Sequence, residues 1–157
     1  MTLSLRDATE EDVDLLYEWR NEPATRESSF QTAVIDIDSH RQWFARKLSQ
    51  RDRTRIWILT ESGVPAGQVR YDRDSDVAEI SFSIDSRFRG RGRGSEILRL
   101  SAPRACGELR VKWLRGVVKA NNPASIKAFD RAGFYRESES IVKGEQALVF
   151  TWSCAAT

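Results

Sequence analysis

The apolar residues of this chain change their spacing several times, and each change predicts a change of secondary structure. Leu3 and Leu5 alternate with polar residues and predict a first strand. Two segments with helical spacing follow this strand. Asn21 and Pro23 end the first of these predicted helices, and the second covers roughly residues 38–50.

In the middle of the chain the apolar spacing changes to two. The runs 56–59 and 68–71 flank a turn segment that contains glycine and proline, so they predict a β-hairpin. A third strand, Val77 to Ile84, leads directly into a glycine-rich segment, and a helix follows that segment. Pro103 removes a helical N–H, so we expect this helix to kink or end near Ala102.

The last part of the chain predicts a strand, a helix and a closing hairpin. The strand covers 111–118, and the helix runs from about 123 to 131 and ends before Gly133. Residues 134–141 and 147–152 form the hairpin. The predicted order is β-α-α-β-β-β-α-β-α-β-β, in which only the connection through the glycine-rich segment and its helix joins parallel strands.

The length of 157 residues suits one domain with a substantial core, so we expect a single domain over residues 1–157. The apolar fraction of 40% and the charged fraction of 31% are typical of a soluble globular protein. No run approaches the ~20 apolar residues that span a bilayer, and the N-terminus lacks an apolar signal region. We therefore expect a cytoplasmic protein with no membrane partner.

The two cysteines, Cys106 and Cys154, are too few for a disulfide framework, and neither has a neighbouring Cys or His that suggests a metal site. A net charge of +2 gives no argument for a nucleic acid partner. The Arg-Gly repeat between Arg89 and Gly94 also resembles segments that bind RNA, but those lie in low-complexity sequence. This repeat is bracketed by apolar periodic elements, so we expect no metal and no nucleic acid.

Three glycines at alternate positions, Gly90, Gly92 and Gly94, connect the third strand of the central region to the following helix. Glycine tolerates positive φ and lets a ligand approach the backbone. The successive N–H groups then point into one concavity at the positive end of a helix, which is an arrangement that binds phosphate.

The spacing Arg89-x-x-Gly92-x-Gly94 resembles the pyrophosphate loop of the GNAT N-acetyltransferases. A second motif, residues 122–134, resembles the segment N-x-x-S-x-x-x-Y-x-x-x-G-F of the same family, and the order of elements is the GNAT order. The resemblance implies an α+β fold with a twisted, mostly antiparallel sheet of about seven strands and about four helices. It also implies an acyltransferase that moves an acetyl group from acetyl-CoA to an amine.

The same resemblance implies a cofactor site. In the family, the loop amides that correspond to Gly90, Gly92 and Gly94 hold the pyrophosphate, and backbone groups near Phe82 and Ile84 pair with the pantetheine like an added strand. The predicted cofactor site also includes Arg89, Arg91, Ser95, Asn122, Ser125 and Phe129.

Glu79 is the candidate catalytic base. Alternation along Val77 to Ile84 places Glu79, Ser81 and Ser83 on one face, and Ala78-Glu79-Ile80 resembles a family segment whose glutamate serves as base. The alternative is a surface glutamate on a half-exposed strand. A free glutamate titrates near ~4.3, so we expect catalysis through water or with a raised pKa. A backbone N–H near Phe82 or Ser83 would donate a hydrogen bond to the oxyanion that develops during acetyl transfer.

Phe129 stands where the family usually has a tyrosine that acts as general acid. Because phenylalanine cannot donate a proton, either coenzyme A leaves as a thiolate or another group donates, with Ser125 and Tyr135 as candidates. The absence of the tyrosine also leaves open an inactive module that only binds coenzyme A.

The acceptor is less well defined. Trp19-Arg20-Asn21 and the segment from Asp38 to Phe44 are similar to a GNAT branch that acetylates nucleotide-linked amino sugars, and also to the branch that acetylates ribosomal protein N-termini. Trp19 offers a flat surface, Arg20 suits a diphosphate, and His40 titrates near neutrality. Core packing and a helix-start position are the alternatives for the aromatic residues and for His40.

We therefore predict a small-molecule acceptor amine, with a nucleotide-linked amino sugar as the first candidate and Trp19, Arg20 and His40 as its contacts. Protein N-termini and other small amines stay open. We expect a monomer or a homodimer, the latter formed by strand pairing through the last hairpin.

Overall fold

The chain forms seven strands and five α-helices in this computed structural model, which describes residues 2–156. The two end residues of the predicted 1–157 domain lie outside the described range. The strands are β1 (Leu3–Asp7), β2 (Thr54–Glu61), β3 (Val64–Asp74), β4 (Val77–Ile84), β5 (Trp113–Lys119), β6 (Tyr135–Val142) and β7 (Glu145–Ser153). The helices are α1 (Val13–Asn21), α2 (Pro23–Ser28), α3 (Ile37–Ser49), α4 (Arg93–Leu109) and α5 (Pro123–Arg131).

The strands form one sheet in the order β1-β2-β3-β4-β5-β7-β6. Every neighbouring pair is antiparallel except β4 and β5, which are parallel and joined through α4. The α+β class, both hairpins and the single parallel crossover are thus confirmed. The described residues contain one helix more than expected, because Pro23 ends α1 and also begins α2, where its missing N–H costs nothing.

Alternation along β2 places apolar side chains on both faces of the sheet. Trp57 and Leu59 join the larger core, which packs against α4 and α5. Ile56 and Ile58 join a second core beneath α1 and α3. The sheet is therefore covered on both faces, and this arrangement fixes the helices that surround the site.

The expected helix end near Ala102 is wrong, because α4 continues through Pro103 to Leu109. Ala102 and Ala105 are fully buried against the sheet, whereas Pro103 lies on the exposed side of the helix. The free energy gained by packing the buried face of α4 outweighs the cost of the hydrogen bond that Pro103 cannot donate. The strand predicted to begin at residue 111 begins two residues later, because Arg110 ends α4 with a positive φ of 55°.

Cys106 and Cys154 form a disulfide bond across 48 residues of sequence. Two cysteines make no framework, and nothing in the local sequence predicts that they pair. Their pairing depends on tertiary structure, since it joins α4 to the segment after β7. The backbone N–H of Cys154 also donates to the Lys112 carbonyl at 2.9 Å. No helix within the described residues is long and apolar enough to cross a membrane.

Candidate active site

β4 and β5 separate halfway along their length, and this separation opens the site. They pair only from Val77 opposite Trp113 to Ile80 opposite Gly116. Beyond that point β4 continues beside β3, and β5 continues beside β7. Within the described residues, no strand pairs with the β5-facing edge of Ser81–Ile84. Free backbone groups along this edge can receive an extended ligand as an added strand.

A cavity of about 1020 Å³ fills the gap and extends beneath α1 and α3. It gathers almost all of the predicted site: its lining includes Trp19, Arg20, His40, Glu79, Phe82, Ile84, Arg89, Gly90, Gly92, Gly94, Ser95, Asn122, Ser125 and Phe129. Arg91 is not part of the lining. Its guanidinium lies 3.9 Å from the Glu61 carboxylate and stacks on Phe88.

The glycine loop has the geometry of a phosphate cradle. Gly90 and Gly92 have φ values of +77° and +74°, which side chains disfavour, and Gly92 is the N-cap of α4. A Cβ at Gly90 would meet nothing within 4 Å, so the backbone is open to a ligand. The 17-residue α4 directs its positive end here. These features fit the pyrophosphate of acetyl-CoA.

Gly94 serves packing and thereby shapes the loop. A Cβ there would lie 3.0 Å from the Ala128 Cβ and 3.3 Å from the Phe82 ring. The missing side chain lets the first turn of α4 approach α5 and β4. The hydroxyl of Ser95 donates to the Gly92 carbonyl at 2.9 Å, so it closes the turn.

The three arginines of the loop differ in their partners. Arg89 donates to the Ile84 carbonyl at 3.0 Å and to the Glu22 carboxylate at 3.2 Å, which ties the loop to the start of α2. The hydrogen bond from Arg89 lowers the pKa of Glu22 to about 2. Arg93 is buried with Glu61, at 2.5 Å, on the side of the loop toward β2.

Glu79 faces the cavity on β4, directly opposite Arg115 of β5 in the parallel register. The Arg115 guanidinium donates to the Glu79 carboxylate at 2.6 Å. Among the described residues that line the cavity, Glu79 is the only carboxylate. This ion pair fixes the position of the Glu79 carboxylate at the cavity wall.

Phe129 is buried among three other rings, stacked on Phe150 at 5.0 Å and edge-on to Phe82 and Phe134. Asn122 is the N-cap of α5, and its amide donates to the Ser125 Oγ at 3.1 Å. Because this oxygen already accepts a hydrogen bond, its own proton is free to point elsewhere in the cavity. Tyr135, the other candidate donor, is 69% exposed on β6 and outside the lining.

The three predicted acceptor contacts differ in exposure. Trp19 is buried, and its indole N–H donates to Asp85 at 2.9 Å. His40 is fully buried in the first turn of α3, with Nε2 at 3.0 Å from the Val13 carbonyl and its ring stacked on Phe44. All three residues line the cavity, and their contacts with an acceptor stay a prediction.

Arg70 on β3 and Arg115 on β5 are among the cavity residues that were not found from the sequence. Arg70 lies opposite Ser81 in the β3–β4 register, on the face that Glu79 shares. Alternation along β3, combined with the predicted hairpin, is the signal that would have found it. No three His, Cys, Asp or Glu side chains within residues 2–156 form a group that could hold a metal ion.

The chain matches the acetyltransferase (GNAT) domain family over residues 2–135, and it therefore belongs to that family. The predicted family is confirmed, and membership makes the chain an acyltransferase with acetyl-CoA as its acetyl donor.

One relative is the Bacillus subtilis (strain 168) protein named "Putative phosphinothricin acetyltransferase YwnH". It is 26% identical over 142 residues, which are 84% of this chain and 83% of that protein.

Solved structures share the fold. AAC(6')-Ib in complex with Parmomycin and acetyl-CoA superposes with a TM-score of 0.85 at 19% identity, covering 99% of this chain and 96% of that one. Spermidine N-acetyltransferase from Vibrio cholerae, in complex with CoA and spermine, has a TM-score of 0.86 at 14% identity and covers 98% and 96%. At these identities the comparison establishes the fold, and the acceptor has to be argued from the cavity.

Proposed function

We propose that this acetyltransferase transfers the acetyl group of acetyl-CoA directly to a primary amine of a nucleotide-linked amino sugar. The charge of the cavity carries the proposal. Its lining contains one carboxylate, Glu79, against seven cationic side chains: Arg20, Arg70, Arg89, Arg93, Arg115, Lys127 and Arg131. Four of these cations pair with carboxylates, namely Arg70 with Asp72, Arg89 with Glu22, Arg93 with Glu61 and Arg115 with Glu79. The cations that remain favour anionic ligands, since positive charge concentrates anions and repels polycations.

The cofactor accounts for only part of this charge. Arg89 and Arg93 border the glycine loop and α4, where the pyrophosphate fits. Arg20 and Arg70 lie on α1 and β3, outside the glycine loop and α4. A second anionic group, such as the diphosphate of a nucleotide sugar, suits these positions.

A small anionic amino acid is the second candidate. The name of the relative YwnH refers to phosphinothricin. This compound is an amino acid that carries a phosphinate in addition to its amine and its carboxylate. This acceptor is also anionic, so the same cavity charge favours it. The polycationic acceptors named for the structural neighbours, by contrast, oppose that charge.

The chain's own residues supply the acid–base chemistry. The free edge of β4 would hold acetyl-CoA, which would supply the acetyl group as a thioester. Glu79 accepts the proton of the acceptor ammonium, directly or through water. A backbone N–H near Phe82 or Ser83 donates to the developing oxyanion. Ser125 is the hydroxyl available to the departing sulfur, and a thiol pKa near ~8.5 also permits departure as thiolate.

The test is release of free coenzyme A from acetyl-CoA across one acceptor panel. The panel holds a UDP-linked 4-amino sugar, phosphinothricin, kanamycin, spermidine and an N-terminal peptide. We expect turnover with the UDP-linked sugar. Turnover confined to phosphinothricin supports the second candidate, and turnover confined to the peptide or the polycations contradicts both. Acetyl-CoA binding without any turnover would favour a module that only binds coenzyme A.

A further inference from the structure

Arg20, Trp43 and Arg70 form a cluster in the lining of the cavity. The Arg20 guanidinium carbon lies 4.6 Å from the centroid of the Trp43 ring, and that of Arg70 lies 4.9 Å from it. The three side chains come from α1, α3 and β3. Because one indole ring holds both guanidinium groups, two like charges are kept close together.

The charges in this cluster are not balanced. Asp72 is the carboxylate beside it, and it accepts from Arg70 Nε at 2.7 Å and from Lys47 Nζ at 2.8 Å. The single negative charge of Asp72 is therefore shared by two cations, Arg70 and Lys47. Among the described residues, no hydrogen bond or ion pair involves the Arg20 guanidinium. Burial and the nearby Arg70 lower the pKa of Arg20, which records the cost of leaving this charge without an anion.

The Arg20 donors remain open to the cavity. None of its nitrogens is among the buried, unpartnered side-chain atoms of the described residues, so they face space that a ligand can enter. A guanidinium presents five N–H groups in a planar fork that matches the oxygens of a phosphate or carboxylate. Stacking on Trp43 orients this fork in advance of binding.

We infer that Arg20 and Arg70 form the subsite that binds an oxyanion of the acceptor, a phosphate or a carboxylate, and that this anion is a requirement for acetylation. The inference rests on the proposed transfer to an amine. Arg70 lies opposite Ser81 of β4. Glu79 lies on the same face of β4, two residues and about 7 Å from Ser81. An anion bound by Arg70 therefore lies close to Glu79, the proposed base. Binding of the anion would position the acceptor amine beside Glu79.

The test uses isothermal titration of the full chain saturated with acetyl-CoA, so that the cofactor already occupies the glycine loop. The two probes are inorganic pyrophosphate and L-glutamate. The variants are Arg20→Gln and Arg70→Gln. Arg41→Gln is the control, because Arg41 lies on the same helix as Trp43 but pairs at the surface with Asp14 at 3.9 Å. Thermal melting verifies that each variant is folded.

We expect at least one probe to bind the wild-type protein, and each cluster variant to weaken that binding by about tenfold or more. The control binds as the wild type does. Preference for pyrophosphate indicates a nucleotide-linked acceptor, and preference for glutamate indicates an amino acid; both support the subsite. The inference is overturned if neither probe binds, or if Arg20→Gln, which breaks no ion pair, binds as tightly as the wild type.

The same titration separates this inference from the proposed function. Saturation with acetyl-CoA in the first step reports the cofactor site alone. If a probe binds through Arg20 but the UDP-linked sugar is not acetylated, the subsite stands and the acceptor assignment fails. If the sugar is acetylated equally well by Arg20→Gln, the function stands and the subsite fails.

Discussion

At the scale of single residues, the site depends on pairs formed across strands. Glu79 and Arg115 occupy matching positions of β4 and β5, and Arg70 and Ser81 occupy matching positions of β3 and β4. The local motif was enough to select Glu79 as a candidate, and Glu79 lines the cavity. The motif could not predict Arg70 or Arg115, because their contribution depends on strand register, which a single sequence determines only weakly.

Replacing Glu79 with glutamine removes the proposed base and keeps the size of the side chain. We expect kcat to fall by about 100-fold or more, because the ammonium then lacks its proton acceptor. Affinity for acetyl-CoA should not change. Steady-state kinetics and a binding titration check the two statements, with Glu139→Gln on exposed β6 as the matched control. An unchanged kcat would remove Glu79 from the mechanism.

Burial lowers the pKa of His40, so this residue makes stability depend on pH. The unfolded chain binds a proton near pH ~6.5 and the folded chain does not, so the contribution is complete above that pH and is lost as pH falls. The groups that act on the ring are the Val13 carbonyl, Arg20 and Asp14. The pKa values of Glu22 and Asp85 are lowered to about 2. Their contributions to folding stability are therefore lost only at a pH below the window in which His40 acts.

We therefore expect wild-type stability to decline between about pH 7.5 and 5.5, and His40→Gln to show a flatter profile over that window. Urea unfolding at several pH values measures both. Equal slopes for the two proteins would show that His40 does not change its protonation on folding.

At the scale of elements, close approach of helices to the sheet shapes the cavity. A Cβ at Gly116 on β5 would lie 2.4 Å from the Phe129 ring of α5. Phe129 cannot yield, because Phe82, Phe134 and Phe150 surround it. The periodic strands and the caps of α5 were predictable from local sequence. The continuation of α4 through Pro103 was not, since it depends on packing of the opposite helix face.

Gly116→Ala should destabilise the protein by about 1–3 kcal/mol through overpacking. Gly107→Ala is the matched control, because Gly107 lies inside α4 and a Cβ added there would meet nothing within 4 Å. That substitution should instead stabilise by about 0.5–1 kcal/mol. Denaturant unfolding measures both changes. A loss in Gly116→Ala that adds fully to that of Phe129→Leu would contradict the proposed contact.

At the scale of the whole molecule, the order of the elements was predictable from the sequence, but the disulfide bond was not. Cys106 in α4 and Cys154 after β7 are 48 residues apart in sequence, and the tertiary structure brings them together. Local patterns therefore predicted the fold and the phosphate loop. The disulfide, the second core beneath α1 and the charge of the cavity emerge from residues distant in sequence.

Removing the disulfide with the double variant C106S/C154S should lower the free energy of unfolding by about 2–4 kcal/mol, because the bond restricts a long loop of the unfolded chain. The wild-type melting temperature should fall in reductant, and that of the variant should not respond to it. Equal melting temperatures for oxidised and reduced wild type would mean that the bond adds nothing to stability.

The central claim is that an anionic group of the acceptor directs acetyl transfer. The most direct measurement compares kcat/KM for a UDP-linked 4-amino sugar with that for the same amino sugar without its nucleotide. The cationic cavity predicts a preference of about 100-fold or more for the linked sugar, since two charge-assisted contacts are lost with the nucleotide. Equal values of kcat/KM for the two sugars would contradict the account.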